Sequence, residues 1–416
     1  MKPALRVVTL PPTVTGSDAP PFVTEARARG AQVLELRTDL HSAEAVDAAV
    51  LAGLLPLIVS ERGVPLPPSW VAAARWVDRD IQGGALEVPP GKLLASHHAD
   101  RPLSTEEALR LWELPLPAGA LVKHVEPLGE VSRARISELL ETQARLDERF
   151  GEERVTVLTM GPLALPVRAL LARRNVLEFV ALGGEWKAAP GQRLLPDALR
   201  EARALPKGEG RLAILGTSIP HSRSPRIHLQ PFDRIDIPED APVEALVDGL
   251  LPHYRGFAVT SPFKLRLARH TGSSLDAINT LVRRGQRWES FNTDVEGARS
   301  VLQRLRAPEA VVLGDGGASA ALRSVAPELG VRLRFLRRAD ISSPLSGPGV
   351  WTWPDRVPPP DSLRFEGSRI AVIAYGAPAR IIASEITRRG GTPLLLGAAW
   401  FIAQARRQRA LWETAS

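Results

Sequence analysis

The sequence predicts an α/β protein: an N-terminal, abbreviated α/β barrel of the TIM type, then an α/β substrate subdomain and a Rossmann subdomain. Three observations carry that expectation. Eight short apolar runs alternate with mostly amphipathic links over roughly the first 205 residues. The stretch Pro206-Lys207-Gly208-Glu209-Gly210 has the composition of a linker and breaks that rhythm. A buried-type strand, Val311-Val312-Leu313, then runs into the glycine-rich loop Gly314-Asp315-Gly316-Gly317-Ala318-Ser319 and a helix.

Composition narrows the possibilities. A chain of 416 residues is too long for one ordinary core, and 44% hydrophobic with 24% charged residues is a globular composition. No apolar run approaches the roughly 18 residues of a membrane span, and Met1-Lys2-Pro3-Ala4 lacks a signal-peptide core, so a cytoplasmic protein with no membrane partner is expected. Cysteine is absent, which excludes disulfides and thiolate metal sites; no metal is expected. The net charge of +7 comes from arginines scattered along amphipathic segments, so nucleic acid is not expected as a partner, while small carboxylate substrates would also suit a basic pocket. Of 53 basic residues only Lys2, Lys92, Lys123, Lys187, Lys207 and Lys264 are lysine. A lysine at a strand end in a chain that prefers arginine suggests chemistry that arginine cannot do, such as Schiff-base formation.

The eight expected strands are Arg6–Leu10, Gln32–Leu36, Leu54–Val59, Ala74–Val77, Lys92–Ser96, Leu121–Lys123, Val155–Met160 and Glu178–Leu182. Ser104–Trp112 and Val131–Phe150 have a polar opening and an apolar stripe of period 3.6, and read as helices. The link Gln82–Pro90 is too short and too rich in Gly and Pro for a full helix, hence the abbreviated barrel. Barrel chemistry sits at the C-terminal strand ends, where Glu35, Arg37, Arg62, Asp78, Asp80, His97, His98, Lys123, Met160 and Arg168 fall.

Glu-Leu-Arg-Thr-Asp at 35–39, Ser-His-His at 96–98, Val-Lys at 122–123 and Ala-Pro-Gly-Gln at 189–192 resemble the type I 3-dehydroquinate dehydratases. The resemblance implies that Lys123 forms a Schiff base with the ring ketone, giving the neighbouring carbanion an electron sink. It makes His98, counted from Ser96, the base that takes the proton and returns it to the departing hydroxyl, with His97 the alternative. Arg168 and Gln192 match positions that hold the substrate carboxylate and the closing loop; Glu35, Arg37 and Arg62 match positions that hold hydroxyls. The chain departs from the family after Arg62, where Gly63-Val64-Pro65-Leu66 carries no acid to assist the histidine. It departs again at Asp78-Arg79-Asp80, where the last acid is one methylene short, and at Ala188, where the family has serine.

In the second half, four polar turns each follow an apolar strand. Ser222 and Ser224, two apart in Gly216–Pro225, can aim two hydroxyls from one side of a turn fixed by Pro220 and Pro225, although such a turn is also an ordinary helix start. Val259-Thr260-Ser261-Pro262-Phe263-Lys264, Asn279-Thr280 and Asn292-Thr293-Asp294 follow in order. Together they resemble the shikimate dehydrogenase family. The resemblance implies that Lys264 and Asp294 meet at a cleft and serve carbonyl reduction, since oxygen receiving negative charge must meet a proton or cation; which of the two supplies the proton is left open. Ser222, Ser224, Thr260, Asn279 and Gln404 would hold the ring carboxylate and hydroxyls.

Gly314, Gly316, Gly317 and Ala318 would let the backbone approach a pyrophosphate. Arg337 and Arg338 stand at the end of the next strand, where an acid would select NAD, so NADP(H) is expected. The expected organisation is 1–207 as a dehydratase-like barrel, 208–300 with helix 398–416 as a substrate subdomain, and 301–397 as a Rossmann subdomain. The function implied is a bifunctional shikimate-pathway enzyme. The alternatives are a shikimate or quinate dehydrogenase with a silent barrel, and a non-catalytic metabolite-binding regulator.

Overall fold

Side-chain alternation along parallel strands organises the first half of the chain. The computed structural model describes residues 4–83, 88–89, 91–203, 210–219, 222–228, 232–275, 277–341, 344–354 and 358–414. Of the expected linker only Gly210 is described; Pro220, His221 and part of the Gln82–Pro90 link also lie outside the described residues. The chain divides into two compact units, Met1–Tyr254 and Arg255–Ser416.

The first unit opens with β1 (Leu5–Thr9), α1 (Ala19–Ala28), β2 (Val33–Arg37), α2 (Ala48–Ala52), β3 (Leu57–Ser60), α3 (Pro68–Ala73), β4 (Trp76–Asp80) and β5 (Leu93–His98). It continues with α4 (Thr105–Leu111), β6 (Leu121–Pro127), α5 (Arg133–Phe150), β7 (Val155–Met160), α6 (Leu165–Leu171), β8 (Leu177–Val180) and α7 (Leu195–Arg203). Among the described residues the strands form one eight-stranded parallel sheet of order β7-β6-β5-β4-β3-β2-β1-β8, the expected barrel. Its seam is narrowed by Val176 N, which donates to Val155 O at 2.9 Å. Leu177 N donates to the Thr156 hydroxyl at 3.1 Å in place of a carbonyl. Between β4 and β5 most of the Gln82–Pro90 link, residues 84–87 and 90, lies outside the described residues.

Both expected helices form with the caps their sequences offer. Ser104 accepts from Glu107 N while Glu107 reaches back to Ser104 N, a complete capping box on α4. Ser132 caps α5, and Gly151 ends it at φ 97°, a conformation that favours glycine.

Val7, Val33, Ile58, Leu94, Val125, Leu158, Leu177 and Phe179 fill the barrel interior. Val8, Leu34, Leu57, Val59 and Val77 face outward onto Val23, Leu51 and Trp70 of the helices. Trp70 and Trp112 are fully buried; truncating either to alanine would cost about 3–5 kcal/mol. Because the strand period is two, the inner set dictates what lines the barrel mouth. Glu35 follows from Val33, Ser60 from Ile58, Asp78 from Trp76, His98 from Leu94 and Lys123 from Val125.

Beyond the barrel, β9 (Arg211–Gly216) pairs in parallel with β10 (Phe232–Asp236), with α8 (Ser224–Ile227) between them and α9 (Val243–Leu250) after.

The second unit begins one residue into β11 (Tyr254–Val259) and holds α10 (Lys264–His270), β12 (Thr280–Arg284), β13 (Arg287–Phe291) and α11 (Asp294–Leu305). Strands β11, β12 and β13 pair antiparallel. There follow β14 (Glu309–Leu313), α12 (Gly317–Val325), β15 (Arg332–Leu336), β16 (Gly349–Trp351), β17 (Arg369–Val372), α13 (Ala377–Arg388), β18 (Thr392–Leu395) and α14 (Gly397–Glu413). Strands β14 to β18 form a parallel sheet of order β15-β14-β16-β17-β18, the expected Rossmann-type arrangement. Among the described residues no helix is long and apolar enough to cross a membrane.

Candidate functional site

The barrel mouth gathers charge around one carboxylate. Asp78, fully buried, accepts from Lys123 Nζ and from Arg62 Nη2, the latter at 2.8 Å. Burial works against its ionisation, but the Arg62 and Lys123 charges prevail and hold it well below the usual carboxylate range. Its Oδ1 has no hydrogen-bond partner among the described residues. Beside it, Glu35 is fixed by the Thr9 hydroxyl at 2.6 Å and the Ser60 hydroxyl at 2.8 Å.

Lys123 is buried, with its ammonium 5.1 Å from the centre of the Phe179 ring. Burial pulls its pKa down; Asp78 opposes that pull and Arg62 reinforces it. The net direction is the one a nucleophilic amine requires.

His98 shares this face: its Nε2 lies 3.3 Å from Arg62 Nη2 and its Nδ1 lies 3.6 Å from Asp80 Oδ2. Burial lowers its pKa, Asp80 opposes, and the Lys123 and Arg62 charges lower it further. His97 points the other way. It stacks on His124, with ring centres 5.9 Å apart, outside the strand layer and away from Lys123. The acid beside His98 is therefore Asp80, whereas Glu61, next to Arg62, is engaged by Arg79.

The remaining expected residues divide. Arg37 sits at the rim in a two-pronged pair with Asp39, at 3.0 and 2.6 Å. Arg168 is turned to the backbone, donating to Thr159 O at 3.3 Å and Phe179 O at 2.9 Å, and burial lowers its pKa to about 10. Gln192 is buried and accepts from Ala188 N at 2.8 Å and Ala189 N at 3.4 Å, closing its own loop. Gly191 explains that loop's glycine: φ is 81°, and a Cβ would fall 2.8 Å from both Gly161 O and Ala164 Cβ.

Further along the first unit, Ser222 and Ser224 are buried with hydroxyls 3.4 Å apart, and Ser222 Oγ accepts from Ser224 N at 3.3 Å. Two hydroxyls do share one side of the turn.

In the second unit, Lys264 opens α10 and donates to Asp294 Oδ2 at 2.8 Å. Asp294 opens α11, yet its side chain does not cap it; Asn292 Oδ1 accepts from Asp294 N at 3.1 Å and takes that duty. The Asp294 carboxylate is left for Lys264 and for Trp400 Nε1, at 3.3 Å. Asn279 Oδ1 accepts from Thr293 N, Thr293 Oγ1 and Thr280 Oγ1 at 2.7, 3.0 and 2.9 Å. Its buried Nδ2 has no partner among the described residues. A buried amide donor without a partner is costly, and its natural use is a ligand oxygen. Thr260 and the half-buried Gln404 carry no side-chain hydrogen bond among the described residues.

The glycine loop suits close backbone approach. A Cβ on Gly314, at φ 134°, would meet Thr352 Oγ1 at 2.2 Å, while Gly316 and Gly317 have nothing within 4 Å of theirs. No side chain caps α12, so the amides of Gly317 and Ala318 in its first turn have no capping partner among the described residues. Arg337 is exposed and lies 3.2 Å from Asp315; Arg338 stacks over the Trp353 ring at 4.9 Å.

A shikimate dehydrogenase (NADP(+)) of Syntrophobacter fumaroxidans is 34% identical over 144 residues, 30% of this chain and 50% of that protein. A shikimate dehydrogenase (NADP(+)) of Anaeromyxobacter sp. is similar to the chain in the same measure, 33% identical over 147 residues. A bifunctional chloroplastic 3-dehydroquinate dehydratase/shikimate dehydrogenase of Arabidopsis thaliana is 28% identical over 217 residues, 44% of this chain and 36% of that one. Among solved structures, the dehydroquinate dehydratase and shikimate dehydrogenase from S. pombe aligns over 99% of this chain and 96% of that chain, at 19% identity and a TM-score of 0.37. No family model matches. The chain spans about half the length of the curated shikimate dehydrogenases it matches.

Two residues of the second unit escape sequence reasoning. Trp400 reaches Asp294, and Gln408 Nε2 donates to Asn279 O at 3.3 Å and Thr280 Oγ1 at 3.1 Å. Both come from α14, whose apolar spacing signals a helix but not its partners. The stripe Trp400, Gln408 and Trp412 is the signal in hindsight: three large side chains that can each donate a hydrogen bond, all buried.

Proposed function

We propose that the chain carries out two consecutive steps of the shikimate pathway: dehydration of 3-dehydroquinate to 3-dehydroshikimate at the barrel, then NADPH-dependent reduction of that product to shikimate. The observation that carries the reading is that one chain holds both a desolvated Lys123 beside His98 and a Lys264–Asp294 pair beside an unpaired Asn279 amide.

In the first step the Lys123 amine adds to the ring ketone and water leaves, forming an imine. His98 Nε2 removes a proton from the adjacent carbon, and the electron pair is drained toward the imine. The same imidazolium returns that proton to the departing hydroxyl, and hydrolysis of the imine frees Lys123. Asp80 orients the ring of His98 from its other nitrogen, and Arg62 and Glu35 offer contacts to substrate oxygens.

For the second step, NADPH, when bound, would supply the hydride for the carbonyl carbon, and the proton that completes the new hydroxyl would come from the Lys264–Asp294 pair. The uncapped amides of Gly317 and Ala318 would hold its pyrophosphate, with Arg337 and Arg338 near the adenosine end. Lys264 meets the charge that develops on oxygen, and Asp294 holds the lysine. Asn279, Thr260, Ser222, Ser224 and Gln404 are the proposed contacts to the ring. A cytoplasmic location fits these small soluble substrates.

The Lys123–Asp78 ion pair favours one competing reading. It stabilises the protonated amine, so a silent barrel attached to a working dehydrogenase would show the same contact. Protein incubated with 3-dehydroquinate and NADPH, beside a tube supplied with 3-dehydroshikimate and NADPH, decides between them. Cofactor oxidation in both tubes is expected. Oxidation with 3-dehydroshikimate alone would leave the barrel silent, and none in either would end the proposal.

A further inference from the structure

The turn carrying Ser222 and Ser224 is suspended from β10 at two points. Asp236 accepts from Ser218 N at 2.7 Å and Ile219 N at 3.3 Å, holding the entry of the turn. Arg234 Nη2 donates to Ser222 O at 3.1 Å, holding its exit. The second support does not end at β10. Arg234 Nη1 reaches both oxygens of Asp197, each at 3.1 Å, and Asp197 belongs to α7, the last helix of the barrel half. Asp197 is buried and Arg234 nearly so, which makes the tie less screened than a surface ion pair. A planar guanidinium can serve a carboxylate and a carbonyl at once, and an ammonium cannot reproduce that fork.

We infer that Asp197 and Arg234 are positioning residues for the reduction step, by which the barrel half sets the Ser222 and Ser224 hydroxyls that receive its own product. This rests on the proposed function only in taking those hydroxyls as substrate contacts. The Asp197 carboxylate holds the guanidinium in the plane from which Nη2 reaches Ser222 O. Without it, Arg234 turns toward water and the Ser222 backbone loses its anchor.

The test uses the full chain and compares wild type with Asp197→Asn, Arg234→Lys and the double variant. Steady-state reduction of 3-dehydroshikimate should show KM raised about five- to twentyfold in each single variant with kcat within about twofold, as expected when ground-state and transition-state binding weaken together. The double variant should be no worse than the poorer single one, because both remove one link. In parallel, hydrogen exchange without ligand should be several-fold faster at the amides of residues 222–228 in Asp197→Asn. An unchanged KM in Asp197→Asn, or a fall in kcat at constant KM, would overturn the inference. Wild type that fails to reduce 3-dehydroshikimate would defeat the dehydrogenase reading instead; the exchange comparison would still decide the tie, unchanged exchange counting against it.

Discussion

His98 and Asp80 face each other across adjacent barrel strands, with Nδ1 and Oδ2 3.6 Å apart, on the inner face that also carries Lys123. The ring thus stands between two charged groups, with Asp80 beside Nδ1 and Arg62 Nη2 3.3 Å from Nε2. Asp80→Asn should lower the dehydratase kcat by about ten- to a hundredfold, the usual scale for a partner that orients a reacting group. Trapping of the imine by borohydride should survive, because Lys123 is untouched. A variant that loses trapping as well would show that Asp80 acts on more than His98.

Asp78 stabilises the charged form of Lys123, so its charge opposes the burial that frees the amine. Asp78→Asn removes that opposition and lowers the lysine pKa further. The acid limb of the pH profile for imine formation, read by borohydride inactivation in 3-dehydroquinate, should move to lower pH. A limb that stays or moves upward contradicts this sign.

Trp400 donates to the Asp294 oxygen that Lys264 leaves free. Trp400→Phe keeps most of the packing and deletes the donor. A hydrogen bond to a charged group is worth about 1.5–3 kcal/mol, so reduction of 3-dehydroshikimate should slow about tenfold or more. KM for NADPH, measured in the same titration, should be unchanged.

Burial and the neighbouring His124 hold His97 below its ordinary value, so the folded state keeps it neutral where the unfolded chain would protonate. The unfolded state then binds more protons as pH falls through the ordinary histidine range. Its contribution is fully present above that range and is lost below it. Urea midpoints at pH 7.5 and pH 5.5 should therefore differ less in His97→Asn than in wild type. Equal differences would assign the acid sensitivity elsewhere.

Arg337 pairs with Asp315 of the glycine loop and Arg338 stacks on Trp353, so the proposed nucleotide site carries two cations and one opposing charge. NADPH should be preferred over NADH in kcat/KM, and Arg338→Ala should reduce that preference about tenfold. Equal kcat/KM for the two cofactors in wild type would refute the cofactor assignment.

What the sequence disclosed follows from range. The barrel, the glycine loop and the turns around Ser222, Thr260, Asn279 and Asp294 are signalled by residues within a few positions of one another. The choice between His97 and His98 needed register: only the inner set beginning at Leu94 tells which of two adjacent side chains enters the barrel. Arg168 and Gln192 were legible as positions but not as contacts, since the carbonyls and amides that engage them have no residue signature. Trp400 and Gln408 lie more than 100 residues beyond their partners, and no local spacing could join them.

Gly297 lies one turn into α11 against the face of Trp400, where a Cβ would come within 2.7–2.8 Å of the indole ring. The ring cannot recede without abandoning Asp294, so a single methyl at 297 acts at a distance on the reducing pair. On the proposed function, an alanine at 297 would slow the reduction and leave the dehydration untouched, so that the intermediate between the two steps accumulates.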